Sequence, residues 1–251
     1  MRVTLGLAGR SLRLIPRVPS TFVPSLVMPV FLTVAFAGAF SGLVFIPRFP
    51  ADKIIDWFIP MTTVQGAAFA GITTGMGVAR DLENGFYDRF LVSPTSRISL
   101  LAGPLLASAL RAFIPIALLL VAAVVGGAHF RAGATGIVVL VVAAVGVAVV
   151  AGAWALALAL RFKTTQAAPL MQMGLFVVFF LSTAQMPIHL LTGWLHSVAR
   201  INPMTNIFGL ARQGFLGDVT WAESWPGLLS LAGMLAVTLL FATRSLQKVV
   251  P

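Results

Sequence analysis

Few side chains in this sequence could do chemistry, and their spacing narrows the options quickly. There is no cysteine, which removes disulfides, thiol nucleophiles and Cys-based metal sites. His189 and His196 have no acidic partner nearby. A zinc site needs three or four converging ligands, so the pair reads as interfacial polar residues and no metal is expected. A phosphate-cradling loop needs Gly-Lys-Ser/Thr, so that backbone N–H groups wrap the phosphate and the lysine reaches it. The lysines are Lys53, Lys163 and Lys248, and none follows a glycine. The chain is therefore expected to hold no ATP site and no cofactor.

Charge gathers in one stretch, residues 79–97, which holds Arg80, Asp81, Glu83, Asp88, Arg89 and Arg97. Read as a helix, it projects Leu82, Phe86 and Phe90 to one side, with Glu83 and Tyr87 beside them and Asn84 and Asp88 opposite. Ser93-Pro94 then stops it, because proline disfavours helix at the preceding residue. A short helix with an aromatic face and charged flanks can pack on its own domain or dock into another protein. The residues alone leave both open.

What positions this stretch is a bundle of apolar spans. The sequence is 59% hydrophobic and 10% charged, where a soluble domain carries about 25% charge to cover its surface. A helix needs about 20 apolar residues to cross about 30 Å of hydrocarbon. Charge-free windows place six spans at Phe22–Ile46, Trp57–Ala79, Leu106–Gly127, Ala134–Leu160, Pro169–Met186 and Pro226–Thr243. Runs such as 136–153 lack the period-2 alternation of a β-barrel. The expected fold is all-α, integral to the membrane, and one domain over 1–251. The apolar run after the first arginines continues to Ile46, longer than the 7–15 residues of a cleavable leader, so cleavage is not expected.

Lys and Arg set the orientation. Arg2, Arg10, Arg13, Arg17, Arg80, Arg89, Arg97, Arg111, Arg161, Lys163, Arg244 and Lys248 fall on one side of a six-span chain. Only Arg48, Lys53, Arg131, Arg200 and Arg212 fall on the other. The excess predicts both termini and the 80–103 segment in the cytoplasm. The same excess explains the net charge of +10 without nucleic acid, since the positives are scattered between spans.

Residues 1–21 read as a basic amphipathic helix whose Arg10, Arg13 and Arg17 share one sector, lying on the inner leaflet with its arginines at the headgroups. Residues 187–225 are long for a loop yet apolar, which predicts short external helices in the interface. Gly38 and Gly42 in the first span, and Gly71 and Gly75 in the second, have the four-residue spacing of close helix packing. Gln65, Gln172, Phe176, Phe180 and Gln185 are candidates for a substrate path, against ordinary interhelical hydrogen bonding. Arg111 is expected near the inner end of span three, snorkelling to the headgroups.

The charged stretch resembles the signature of ABC-2 type permeases, the membrane subunits of ATP-driven exporters of the daunorubicin-resistance kind. Matches fall at Glu83, Gly85, Asp88, Arg89, Ser93, Pro94, Arg97 and Gly103. Phe90 stands where the family usually has Leu, and Phe86 where a small hydroxyl residue is common. The likeness extends to the N-terminal basic helix, the six spans and the Asn202-Pro203…Arg212…Gly217 stretch. It implies that residues 82–92, within a cytoplasmic coupling segment at 80–103, form a coupling helix seated in a separate nucleotide-binding subunit, which holds ATP and Mg. Arg80, Leu82, Glu83, Gly85, Phe86, Tyr87, Asp88, Arg89, Phe90, Ser93, Pro94 and Arg97 would then carry the coupling. It also implies a second copy or a homologous permease as partner, a hydrophobic or amphipathic cargo (drug or lipid), and a bacterial inner-membrane location.

Two other functional classes fit the residues less well. An intramembrane serine hydrolase needs a nucleophile and a histidine base at one depth. Ser41 precedes Gly42, but Ala39 stands where such a family has glycine, and no histidine lies in a predicted span. A self-sufficient channel or carrier would need neither the ATPase nor the charged helix.

Overall fold

The computed structural model describes residues 6, 8–10, 19–86 and 97–248. Among them the fold is all helical: α1 (Pro19–Ala39), α2 (Ile54–Glu83), α3 (Arg97–Val125), α4 (Gly133–Phe162), α5 (Ala168–Phe180), α6 (Gly193–Ile201), α7 (Pro203–Leu216) and α8 (Trp221–Gln247). Short 3-10 turns at Ser41–Phe45, Thr165–Ala167 and Ile188–Leu190 join them. Among the described residues three helices are long and apolar enough to cross a membrane, Ser99–Val125, Gly133–Phe162 and Trp221–Gln247, with shorter apolar helices at Leu26–Ala39 and Thr165–Phe180. The chain is an integral membrane protein.

α2 is the axis of the bundle. Every residue from Asp56 to Gly75 is buried, packed chiefly against α4 and α3 and flanked by α1 and α7. Small residues allow this. A β-carbon on Gly71 would overlap the Ala148 carbonyl oxygen, and one on Gly75 would overlap Ala155. With lipid outside, such close contact is what holds helices together, because burial of apolar area adds nothing there. A β-carbon at Gly38 in α1 or Gly42 in the 3-10 turn after it would meet no atom within 4 Å, so these two glycines pack on nothing within the described chain. Being enclosed, α2 can carry polar side chains. Thr62 Oγ1 lies 2.7 Å from Thr33 Oγ1 of α1, and Thr63 Oγ1 donates to the Ile59 carbonyl.

The ends of α2 are tied by charge. At its N-terminal end Asp56, 1% exposed, accepts the His129 N–H at 2.8 Å, and His129 Nδ1 lies 3.0 Å from its other oxygen. Lys53 Nζ donates to the Gly127 carbonyl, and Arg131 pairs with Asp52. This joins α2 to the α3–α4 turn.

Three expectations are corrected. The fifth span does not run as one helix over Pro169–Met186: α5 stops at Phe180 after 13 residues, about 20 Å at 1.5 Å per residue. The last helix starts before Pro226, at Trp221. Arg111 does not snorkel outward. It sits mid-helix in α3, 6% exposed, and donates to Thr73 Oγ1 of α2 at 3.2 Å, as expected of an intramembrane cation that faces the bundle interior.

Candidate functional site

The charged stretch begins as the last turn of α2 and then leaves it. Asn84 is the C-cap, and Gly85 takes the left-handed conformation at φ 66°. The Gly85 N–H donates to the Leu82 carbonyl and the Phe86 N–H to the Asp81 carbonyl. This is a Schellman ending, which satisfies carbonyls that a terminating helix leaves unpaired and favours glycine at the left-handed position. A continuous helix carrying Leu82, Phe86 and Phe90 on one face is therefore corrected: residues 84–86 form a turn. Tyr87, Asp88, Arg89, Phe90, Ser93 and Pro94 lie outside the described residues, and Arg97 opens α3.

Two other parts of the chain converge on that turn. Arg10 ion-pairs with Asp81 through both nitrogens, at 2.5 and 3.0 Å, and its guanidinium lies 3.7 Å above the Phe86 ring. Arg10 thus points to α2 rather than to headgroups. Residues 1–5, 7 and 11–18, with Arg13 and Arg17, lie outside the described residues. On the other flank Glu83 Oε1 accepts three hydrogen bonds from the α4–α5 connection: Thr165 N–H at 2.7 Å, Thr164 Oγ1 at 2.8 Å and Thr165 Oγ1 at 3.1 Å. The Thr165 N–H, then the Thr164 hydroxyl, hold the Glu83 carboxyl below its usual range, since donors to the ionised form favour it. Leu82 and Phe86 also pack partly against the bundle core.

The path candidates meet along α2 and α5. Gln172, Phe176 and Phe180 recur every four residues on one stripe of α5. Phe176 meets Phe69 of α2 edge-on at 5.5 Å and stacks on Phe180 at 5.9 Å. Gln65, 2% exposed, has no hydrogen-bond partner for its Oε1. It faces a gap of about 10 Å³ shared with Phe180 and Gln185, about the room one water occupies. Gln172 is exposed and stands apart from that gap.

Beyond α5 the chain is held by two residues whose roles the sequence did not disclose. Asn202 caps two helices at once. Its Oδ1 accepts the Met204 N–H at the start of α7, and its Nδ2 donates to the Val178 and Leu181 carbonyls at the end of α5, both at 2.8 Å. The Asn-Pro pair at 202–203 was the available signal, since Asn before Pro is a strong helix-start pattern. Arg212, 3% exposed, donates to the Trp57, Thr183 and Ala184 carbonyls. It fixes the non-helical 181–187 stretch against α2. A cavity of about 740 Å³ opens beside it, lined by Trp57, His189, Arg212, Asp218 and Glu223 among others. A second cavity, about 440 Å³ and almost wholly apolar, lies between α4, α5 and α8 beside Trp154, Met173 and Met234. Among the described residues no group of His, Asp or Glu could hold a metal ion.

Comparison with known proteins matches residues 50–244 to the model of the ABC-2 family transporter proteins. The daunorubicin resistance ABC transporter permease protein DrrB1 of Streptomyces coeruleorubidus is 24% identical over 242 residues, covering 93% of this chain and 82% of that protein. The putative transport permease ycf38 of Porphyra purpurea is 26% identical over 195 residues, 75% of this chain and 65% of that one. With four-fifths of the DrrB1 length aligned and the family model spanning most of the helical bundle, the chain belongs to the ABC-2 family of transporter proteins.

Proposed function

We propose that this protein is the membrane-spanning permease subunit of an ATP-driven exporter that moves a hydrophobic or amphipathic compound out of the cytoplasm or the inner leaflet. The observation that carries the reading is the family match together with where the signature lies. It leaves the end of α2, the helix buried throughout the bundle, so a push there reaches the whole membrane domain. In this reading the chain crosses the bilayer six times, with both termini and residues 80–103 in the cytoplasm of a bacterial cell. A separate nucleotide-binding subunit binds ATP and Mg and meets residues 87–97. A second copy or a homologous permease completes the pathway. The name of the relative from Streptomyces, a daunorubicin resistance permease, fits an amphipathic cargo, and Phe176, Phe180, Gln65 and Gln185 fit a path for one.

The test separates partner contact from folding. Because Phe86 packs beneath Arg10, the docking anchor in this reading is Phe90 with Arg89. Phe90→Ala should leave membrane levels normal and weaken ATPase co-purification by about thirtyfold, the loss typical of a truncated interface anchor. Full ATPase binding and full transport in the Arg89→Ala, Phe90→Ala double variant would sink the proposal. Cysteines introduced at residues 2 and 96 of this Cys-free chain should be labelled only from the cytoplasm, and at 52 and 219 only from outside. The reverse pattern would remove the six-span topology.

A further inference from the structure

Within the exporter reading, on which this step rests, Glu83 belongs to the signature and would be counted among the ATPase contacts. Its geometry says otherwise. One carboxylate oxygen receives all three hydrogen bonds, from a backbone N–H and two hydroxyls of the α4–α5 connection. Thr164 is extended and caps the Thr165–Ala167 turn by accepting the Gln166 N–H, and α5 starts at the next residue, Ala168. The bonds therefore end at the short turn that leads directly into α5. On the other side Glu83 is the last helical residue of α2, directly before the Asn84–Gly85 turn into residues 87–96. Direct packing between α2 and α5 is sparse by comparison with α2 against α3 or α4. A bond at the base of α5 is thus a main mechanical link between the two helices at this end.

We infer that Glu83 is a positioning residue, a strut that passes movement of the 84–86 turn to the foot of α5 through Thr164 and Thr165, and not a contact for the ATPase. α5 carries Phe176 and Phe180, so the strut joins the ATPase-facing segment to the helix that borders the path.

Thr165→Pro is the informative partner substitution. It removes both Thr165 donors, and proline is at home at the first helical position after an extended residue. In membrane vesicles with the ATPase present, Glu83→Gln and Thr165→Pro should each lower transport while ATPase co-purification stays within about twofold of wild type. Combined, they should lose no more than the worse single variant, since groups that act through one interaction are non-additive. A rescue excludes a merely structural role. Glu83→Cys with Thr165→Cys, in a chain without other cysteines, should be bridged in the purified permease by a short bifunctional methanethiosulfonate, whose spacer replaces the reach of the glutamate side chain. Bridging should then restore transport, and reduction should abolish it. The strut is overturned by multiplicative losses in the double variant, by failure to bridge, by transport that stays lost in the bridged pair, or by ATPase release in Glu83→Gln. A wild-type chain that captures no ATPase would remove the exporter reading alone. The bridging, and non-additivity in the thermal unfolding of the purified permease, would still decide the strut.

Discussion

The guanidinium of Arg212 lies 3.7 Å above the indole of Trp57 while its nitrogens donate to three backbone carbonyls, one of them Trp57's own. Trp57 Nε1 in turn donates to the Gln185 carbonyl at 3.0 Å. Two side chains thus hold an irregular stretch of backbone, 181–187, that would otherwise bury unpaired carbonyls next to α2. Arg212→Met keeps the volume but leaves those carbonyls without donors. We expect a loss of about 3 kcal/mol of stability, read as a drop in thermal unfolding temperature in detergent. Trp57→Phe should cost about 1 kcal/mol, and less again once Arg212 is gone.

Asn202 separates into its two caps by substitution. Asn202→Ala removes both and should cost about 2 kcal/mol. Asn202→Asp keeps the acceptor for the Met204 N–H and loses the donors to Val178 and Leu181. If the end of α5 is what Asn202 stabilises, hydrogen exchange over 176–184 should rise in both variants, while exchange over 203–207 rises only in Asn202→Ala.

The Glu83 strut has a predictable response to acid. Donors from Thr165 and Thr164 lower its pKa from the usual 4.5, so the folded state binds the proton less readily than the unfolded one. The bonds therefore contribute fully above that usual value and are lost as pH falls through the lower folded value. Protection of the Thr165 amide should be equal at pH 7 and pH 5 and decline only in stronger acid. In Glu83→Gln it should be weak at both.

The glycines divide into two classes. Gly71→Ala or Gly75→Ala drives a methyl into α4, and overpacking of this kind costs about 1–3 kcal/mol. Membrane levels should fall. Gly38→Ala and Gly42→Ala meet open space and should leave the isolated protomer unchanged. If the second permease of the proposed assembly packs on α1, those same changes will shift the monomer–dimer balance in cross-linking.

How far the sequence could be read depended on how local each feature is. Charge-free windows located α3, α4 and α8, because a helix exposed to lipid must be apolar along its own length. α5 was misjudged for the same reason: residues 169–186 carry no charge, and hydropathy does not register a helix end capped by Asn202 from 21 and 24 residues away. The window at 57–79 falls within α2, yet the burial of every residue from Asp56 to Gly75 was not visible, since enclosure depends on α3 and α4 rather than on α2 alone. At the candidate site the Asn84-Gly85 pair carried a legible stop signal, but the amphipathic pattern of Leu82, Phe86 and Phe90 argued for continuing the helix. The partners of Glu83 and Arg10 lie more than seventy positions away in sequence, beyond any local pattern.

The seam where Gly71 and Gly75 meet Ala148 and Ala155 limits how the molecule can work. Backbones in such contact cannot slide, since a shift of one residue would set side chains where only hydrogens fit. α2 and α4 must then travel as a single body in any working cycle, and cargo cannot pass between them. Relative movement is left to the flanks of that body, α1 on one side and the short α5, which packs sparsely on both, on the other. An inhibitor that wedges either of those against the central pair would stall the machine without touching the site where its energy enters.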